Sequence, residues 1–147
     1  MSLVECSVVR AGEISRIRVE EWANEPGVQR HVLFQLFGCD RLSCCDEGVV
    51  AKFDNTIVGM ASIAPLGEAN SGTPTIVGVY VLPRYRGQGI SLGLMRATVE
   101  RCRERGFQKV HIDVYSGKLM RSIRKLPNDL RVLLEVNCED ETYEIEL

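Results

Sequence analysis

The stretch Thr73-Pro-Thr-Ile-Val-Gly-Val-Tyr-Val-Leu-Pro83, followed directly by Arg84-Tyr-Arg-Gly-Gln-Gly-Ile-Ser91, decides the fold of this chain. Its first part is short and rich in β-branched, aromatic and other apolar residues, which predicts a strand. Pro83 ends that strand, because proline cannot donate to a β-ladder. A helix is predicted from Ile90 onward, with Gly106 as its C-terminal glycine.

The turn between this strand and this helix carries two residues without Cβ atoms, Gly87 and Gly89. Such positions let a ligand approach the backbone closely. The first backbone N–H groups of the following helix have no partner inside the helix. A strand, a glycine turn and a helix N-terminus together predict an anion site, with phosphate as its usual occupant.

The bulk properties of the chain predict one domain over residues 1–147, which is long enough to bury a core. Its 45 % hydrophobic and 26 % charged residues are ordinary for a soluble globular protein. The net charge of -2 argues against a general nucleic-acid binder. No apolar run approaches the ~20 residues that span a bilayer, and the N-terminus lacks a signal pattern. We therefore expect a cytoplasmic protein with no nucleic-acid or membrane partner.

Six cysteines are spread along the chain, and none of them forms a Cys-x-x-Cys pair. Both histidines lie far in sequence from any pair of cysteines. A zinc site is therefore poorly supported, and no metal is expected. The cysteines are best interpreted as small buried hydrophobic residues, although a redox role for Cys44-Cys45 in a loop is an alternative.

Before the central stretch we predict a strand at 5–10, two helices at 13–24 and 28–37, and strands at 49–53 and 56–64. Asp54-Asn55 would join the last two strands as a hairpin. Neither face of the 56–64 strand is strongly polar, which predicts a sheet covered on both sides. After the central helix we predict a strand at 107–114, a helix at 116–125, and a terminal hairpin of strands at 130–136 and 142–147. A strand–helix–strand unit with short connections predicts a right-handed crossover between parallel strands.

Two other phosphate-binding patterns do not fit the glycine turn. A dinucleotide fingerprint would need a third glycine at Leu92. A Walker-type loop would need Gly-Lys-Ser/Thr, and the turn has none. A nucleotide-binding protein is therefore disfavoured.

The run Arg84-Tyr85-Arg86-Gly87-Gln88-Gly89 matches Arg/Gln-x-x-Gly-x-Gly/Ala, and it resembles the acyl-CoA pyrophosphate loop of the GNAT superfamily of N-acetyltransferases. The element order is also similar to that family's. The resemblance implies a mixed α/β fold of the single-domain GNAT type, β-α-α-β-β-β-α-β-α-β-β, with a mixed, splayed central sheet. It covers the full chain in topology, and in specific residues it covers about 79–106.

The resemblance also implies acetyl-CoA as cosubstrate and a set of cofactor-binding residues. The backbone N–H groups from about Arg86 to Ser91 would face the pyrophosphate, aided by the helix dipole. Main-chain groups of the strand would hold the pantetheine arm and acetyl carbonyl, in a gap beside the next strand. Arg84 is a further candidate for phosphate contact, with a solvated turn arginine as its alternative. The expected cofactor-binding residues are Val79, Val81, Arg86, Gly87, Gln88, Gly89, Ile90 and Ser91.

The catalytic residues are less well marked. Many GNAT members use a tyrosine on the helix after the fifth strand as the acid, and the stretch 117–125 contains no tyrosine. Tyr115 is therefore the candidate catalytic residue, with a tyrosine that closes a strand end as its alternative, and two serines are further local substitutes. No motif identifies the general base either, and a chain of water molecules could accept the amine proton without any of the conceivable bases. The further acid candidates are Ser116 and Ser122, and the conceivable bases are Asp113, His111 and Glu47.

The resemblance implies an acetyl-CoA-dependent N-acetyltransferase that acts on a primary amine by direct attack in a ternary complex. The amine would belong to a small molecule or a peptide that the sequence does not identify. The alternative is a CoA-binding GNAT-like sensor or interaction module with little catalysis, since the helix tyrosine is missing. A homodimer is compatible with either function.

Overall fold

A computed structural model describes residues 4–10, 22, 47–65, 73–114 and 117–138 of the chain. The predicted helices at 13–24 and 28–37, apart from Trp22, lie outside these residues, and so does the predicted last strand at 142–147. The described strands are β1 (Val4–Arg10), β2 (Glu47–Phe53), β3 (Thr56–Pro65), β4 (Pro74–Val81), β5 (Val110–Val114) and β6 (Leu134–Cys138). The described helices are α1 (Ile90–Glu104), α2 (Gly117–Arg124) and the short α3 (Asn128–Arg131), with a 3-10 turn at Pro83–Tyr85.

The described strands form one six-stranded sheet in the order β1-β2-β3-β4-β5-β6. The first four strands pair antiparallel, and β4, β5 and β6 pair in parallel. The sheet is therefore mixed, as predicted. The connections fit this mixture: a two-residue turn joins the antiparallel strands β2 and β3, whereas helices return the chain between the parallel strands β4 and β5 and between β5 and β6.

The turn between β2 and β3 confirms the predicted hairpin. Asp54 and Asn55 have φ angles of 49° and 65°. A two-residue hairpin turn of type I′ needs a positive φ at both central positions, and Asp and Asn tolerate it better than most residues do.

Helix α1 crosses one face of the sheet and forms the centre of the core. Leu94, Met95 and Val99 are fully buried, and each contributes roughly 1.5–3 kcal/mol by leaving water. They pack against residues of β2, β3, β4 and β5 and against the apolar side of α2. Val50 and Met60 are also fully buried but lie outside this cluster. Both faces of the sheet are therefore covered, as predicted.

The C-terminal half of the described chain differs from the predictions in two places. Strand β5 begins at Val110 rather than at Phe107, because the amide of Phe107 still closes α1 by donating to the carbonyl of Cys102 at 3.1 Å. The predicted strand at 130–136 is wrong at its start, because Leu130 lies in α3 and β6 begins at Leu134. Pro127 fixes a φ of -56° that suits a helix start, and its carbonyl accepts the amide of Leu130 at 3.0 Å.

Candidate functional site

A β-bulge bends the middle of β4. Ser62 pairs with Val77 and Met60 pairs with Tyr80, so β4 takes three steps where β3 takes two. The extra residue lies at Gly78 or Val79. A bulge increases the local twist and turns the strand away from its previous course. Glycine inside a strand is a frequent mark of such a bulge, and this signal at Gly78 could have predicted it from the sequence.

The bend coincides with the place where β4 and β5 separate. Only Thr75 and Ile76 of β4 pair with β5, opposite His111 and Ile112. The C-terminal half of β4 lies beyond this pairing, while its other edge stays paired with β3 as far as Val81. The sheet is therefore splayed, as predicted, and the gap opens at the end of β4 that leads to the glycine turn.

The backbone of Val81 faces this gap. The amide of Leu82 donates to the carbonyl of Val58 at 2.8 Å, so the backbone of Leu82 faces β3. Successive residues of a strand direct their backbone groups to opposite edges. Val81 therefore directs its N–H group and its carbonyl away from β3, whereas Val79 lies in the bulge. Val79 is partly buried and the side chain of Val81 is buried.

A tight 3-10 turn carries the chain from β4 to the glycines. The amide of Tyr85 donates to the carbonyl of Leu82 at 2.9 Å, and the amide of Arg86 donates to the carbonyl of Pro83 at 3.2 Å. The ring of Tyr85 packs against Phe53, with the centroids 5.9 Å apart. The amide of Arg86 is thus used inside the turn, and the expectation of a ligand-facing amide at this residue is wrong. Its side chain remains the group that it can offer to a ligand.

Gly87 and Gly89 both adopt positive φ angles, 81° and 80°. A side chain would strain the backbone in this conformation. A Cβ atom built at either position would meet no atom of the described residues within 4 Å. The glycines are therefore needed for the path of the chain, and no described residue fills the space beside them. Gln88 lies exposed between them.

The N-terminus of α1 is not closed by any side chain of the described residues. Gly89 occupies the N-cap position in a left-handed conformation, no side-chain cap bond is formed, and the first turn holds no acidic residue. The first bond from this end joins the amide of Gly93 to the carbonyl of Gly89 at 3.2 Å. The amides of Ile90, Ser91 and Leu92 precede it and lack intrahelical acceptors. Together with the helix dipole these amides make residues 87–92, the anion cradle, a candidate site for an anion.

The side chain of Arg86 fastens the glycine turn to the end of β4. Its Nε atom donates to the carbonyl of Val81 at 2.8 Å. Its guanidinium carbon lies 5.0 Å from the centroid of the Tyr80 ring. Arg84 lies over the ring of Tyr85 in a similar way, 4.9 Å from its centroid. The tie between the turn and β4 therefore comes from Arg86, since the contact of Arg84 is with its own neighbour in the sequence.

The acetyltransferase (GNAT) family model matches residues 13–124 of the sequence. The chain belongs to the GNAT family of acetyltransferases. A search among curated protein sequences gave no significant match.

Solved GNAT structures share the fold at low sequence identity. A GNAT family acetyltransferase from Brucella melitensis in complex with acetyl-CoA is 23% identical, with a TM-score of 0.60, and the match covers 81% of this chain and 80% of that one. A predicted acetyltransferase with acetyl-CoA from Clostridium acetobutylicum is 23% identical, with a TM-score of 0.52, covering 84% and 88%. The IAA acetyltransferase from Bacillus cereus is 15% identical, with a TM-score of 0.59, covering 84% and 75%. At these identities the likeness shows the fold.

In this GNAT chain the cradle contacts helix α2 through a pair of serines. Ser122 donates from its Oγ atom to the Oγ atom of Ser91 at 3.4 Å, and both residues are half-buried. Ser122, a substitute acid candidate, therefore lies beside the first turn of α1. Tyr115 and Ser116 lie outside the described residues, and their roles stay predictions.

The conceivable bases have other partners where the structure describes their side chains. Glu47 accepts two bonds from Arg101, at 2.6 and 3.2 Å. His111 lies 3.1 Å from Glu135 on the neighbouring strand. Glu47 thus lies in an ion pair with α1, and His111 contacts a carboxylate of β6. Asp113 lies in β5, and its side chain is outside the described set.

Two further observations concern metals and membranes. Among the described residues, no group of three or more His, Cys, Asp or Glu side chains is arranged to hold a metal ion. No helix within these ranges is both long and apolar enough to cross a bilayer.

The thiol of Cys102 is fully buried in the core, and burial raises its pKa to about 11.

Proposed function

We propose that this GNAT protein binds acetyl-CoA and transfers its acetyl group to a primary amine of a small molecule or peptide by direct attack. The splay that begins after Ile76 carries the proposal, because it opens a gap that ends at the anion cradle. The diphosphate of the cofactor would occupy the cradle, and the pantetheine arm would extend along the free edge of β4. The B. melitensis and C. acetobutylicum structures contain acetyl-CoA, which supports this choice of cosubstrate.

The proposed cofactor site has distinct contributions from each segment. The amides of Ile90, Ser91 and Leu92 meet the diphosphate, while Gly87 and Gly89 keep the approach clear. The Val81 carbonyl is already bonded to Arg86, so Val81 offers its N–H group to the cofactor arm. Arg86 adds positive charge beside the cradle, and Val79, Gln88 and Ile90 complete the proposed set.

Acetyl transfer then needs a neutral, deprotonated amine, stabilisation of the tetrahedral oxyanion, and a proton for the leaving thiolate. In the direct mechanism the amine nitrogen attacks the thioester carbonyl carbon, the C–S bond breaks, and the amine proton reaches the thiolate through water or an acid. Tyr115 is our candidate for that acid. The backbone N–H group of Val81 faces the gap and is a candidate donor to the oxyanion.

The competing proposal is a CoA-binding sensor or interaction module. Its supporting observation is that α2, from Gly117 to Arg124, contains no tyrosine. We propose that the protein acts as a single domain in the cytoplasm, as a monomer or a homodimer.

An amine panel with thiol release as its readout separates these functions. The panel contains polyamines, amino acids, aminoglycosides and peptide N-termini, and mass spectrometry detects the acetylated product. Release that depends on one amine class, and that falls at least about tenfold in Tyr115→Phe, supports the enzyme and its acid. Binding of acetyl-CoA with no turnover on any amine favours the sensor.

A further inference from the structure

Three side chains connect the glycine turn to the face of the sheet opposite α1. Arg86 lies over the ring of Tyr80, and the ring of Tyr80 contacts Trp22 with the centroids 5.6 Å apart at 48°. Trp22 is anchored in turn, because its Nε1 atom donates to the carbonyl of Ile57 at 3.1 Å. Trp22 and Tyr80 are buried, at 1% and 7% exposure, whereas Arg86 is exposed. We name Trp22, Tyr80 and Arg86 the contact chain.

The contact chain holds Arg86 in an orientation that serves two neighbours at once. A guanidinium is a planar fork with five N–H donors. The single donor on Nε is used on the carbonyl of Val81. The two Nη atoms carry the other four donors of the Arg86 guanidinium. Arg86 immediately precedes Gly87 in the sequence, so these donors lie next to the cradle. Lysine, with one compact ammonium group, could not hold the carbonyl, cover the ring and face an anion together.

Fixing this side chain matters because the turn itself is weakly constrained. Gly87 and Gly89 have many accessible backbone conformations, and ordering each residue costs about 1–2 kcal/mol. The contact chain supplies part of this order before any ligand arrives. Order that exists before binding improves affinity, since the ligand no longer has to supply it.

We propose that Tyr80 and Trp22 are positioning residues of the cofactor site: they fix Arg86 so that it holds Val81 and meets the diphosphate, and Trp22 responds when the cradle is filled. This inference rests on the proposed binding of acetyl-CoA in the cradle. It assigns a function to two buried aromatic residues that touch no proposed ligand atom.

Trp22 is the single tryptophan of the chain, so its fluorescence reports the contact chain directly. Titration of the full-length protein with acetyl-CoA should change the emission of Trp22, with a midpoint that matches the calorimetric Kd. In Arg86→Lys we expect the Kd to rise about 3- to 10-fold, the range of a partly desolvated cation–π contact, and the emission change at saturation to shrink. In Tyr80→Leu the emission change should disappear.

Arg105→Lys is the matched control. The guanidinium of Arg105 lies 5.1 Å from the ring centroid of Phe107, the same type of contact at the other end of α1. Its replacement should leave both the Kd and the emission change as in the unmodified protein. Arg86→Lys replaces an exposed side chain, so it decides the matter even if Tyr80→Leu does not fold.

The outcomes separate this inference from the proposed function. If acetyl-CoA binds the unmodified protein but the emission of Trp22 stays constant, or if Arg86→Lys binds as tightly as the control, the positioning function is overturned and the cofactor site stands. If the unmodified protein does not bind acetyl-CoA, both are overturned. An equal rise of the Kd for acetyl-CoA in Arg86→Lys and Arg105→Lys would also overturn the inference. It would indicate that replacing an arginine by lysine weakens binding wherever the arginine lies on this helix and turn.

Discussion

The two ends of helix α1 are built in opposite ways. At its C-terminus, Gly106 has a φ of 90° and its amide donates to the carbonyl of Arg103, while the amide of Phe107 donates to the carbonyl of Cys102. This is a Schellman motif, which satisfies the last carbonyls of a helix. At its N-terminus, Gly89 has a similar φ of 80°, yet the first turn contains no acidic residue and receives no side-chain cap from the part of the chain that the structure describes.

Charged side chains also distinguish the two ends of α1. The carboxylate of Glu47 accepts two hydrogen bonds from Arg101 and lies 3.5 Å from Arg105. These contacts tie β2 to the last turns of the helix. The hydrogen bond that Arg101 donates to Glu47 is the main reason that the pKa of Arg101 is raised. Arg103 binds Asp129 at 2.8 Å. The C-terminal end thus uses its polar groups within the protein, whereas the described residues supply no side-chain partner for the first amides of the N-terminal end, where we propose that a ligand binds.

The largest expected effect is a loss of acetyl-CoA binding when a carboxylate is placed at the N-terminal end of α1 but not at its C-terminal end. Gly89→Glu puts a negative charge and a strained φ in the cradle, where it repels a diphosphate. We expect binding of acetyl-CoA to fall by at least about 100-fold, or about 2.8 kcal/mol, measured by isothermal titration calorimetry. Gly87→Glu should behave in the same way.

Gly106→Glu is the control for this change, because it adds the same charge at a similar positive φ and in similarly open space. The two glycines lie just beyond opposite ends of a 15-residue helix, about 25 Å apart along its axis. Both variants should lose some thermal stability, but only Gly89→Glu should lose binding. Comparable loss in Gly106→Glu would break the comparison between the two ends.

Glu47→Gln tests the closed end. This change leaves Arg101 and Arg105 without their shared carboxylate, so we expect the melting temperature to fall by a few degrees while the Kd for acetyl-CoA stays unchanged. Differential scanning calorimetry and titration measure the two quantities. The control is Glu104→Gln, since Glu104 lies 3.6 Å from Arg101 but is 67% exposed, and exposed pairs contribute little. A change in the Kd would contradict a purely structural assignment of Glu47.

Ser91→Ala is a finer test of the open end. If the Ser91 hydroxyl donates to the diphosphate, its removal should weaken binding about 2- to 10-fold, as expected for one net hydrogen bond. Ser122→Ala removes only the neighbouring hydroxyl and should change the Kd by less. Identical dissociation constants for Ser91→Ala and the unmodified protein would show that the cradle binds through its amides alone.

The smallest expected effect is a pH dependence at the closed end. The hydrogen bond from Arg103 lowers the pKa of Asp129 below its ordinary value of 3.8. A lowered folded-state pKa stabilises the protein above the unfolded pKa, and this contribution is lost as the pH falls through the folded pKa. The melting temperature of Asp129→Asn should therefore lie slightly below that of the unmodified protein at pH 6. The two should converge once the pH has fallen below the folded-state pKa of Asp129, and a constant difference from pH 6 down to that point would exclude the ion pair as its cause.

Local elements of the fold were predictable from the sequence because their causes lie within a few residues. The Asp54-Asn55 turn, the end of β4 before Pro83 and the glycine closure of α1 depend on φ preferences and on proline's missing donor. The predictions were wrong where a local signal had two meanings. Pro127 follows the end of α2 at Arg124, but it also starts α3, which takes Leu130 out of the predicted strand.

The sequence by itself determined a strand, a glycine turn and an open helix N-terminus, since each follows from residue types at fixed spacing. Only the tertiary structure decided that β4 leaves β5 after Ile76, since this depends on a bulge and on the register between strands distant in sequence. The same holds for the partners of Glu47 and for the contact chain of Trp22, Tyr80 and Arg86. Such contacts join residues 5 to 58 positions apart, and no local pattern encodes them. The open end of α1 is therefore a property of the sequence, and the gap beside it, on which the proposed cofactor site depends, is a property of the fold.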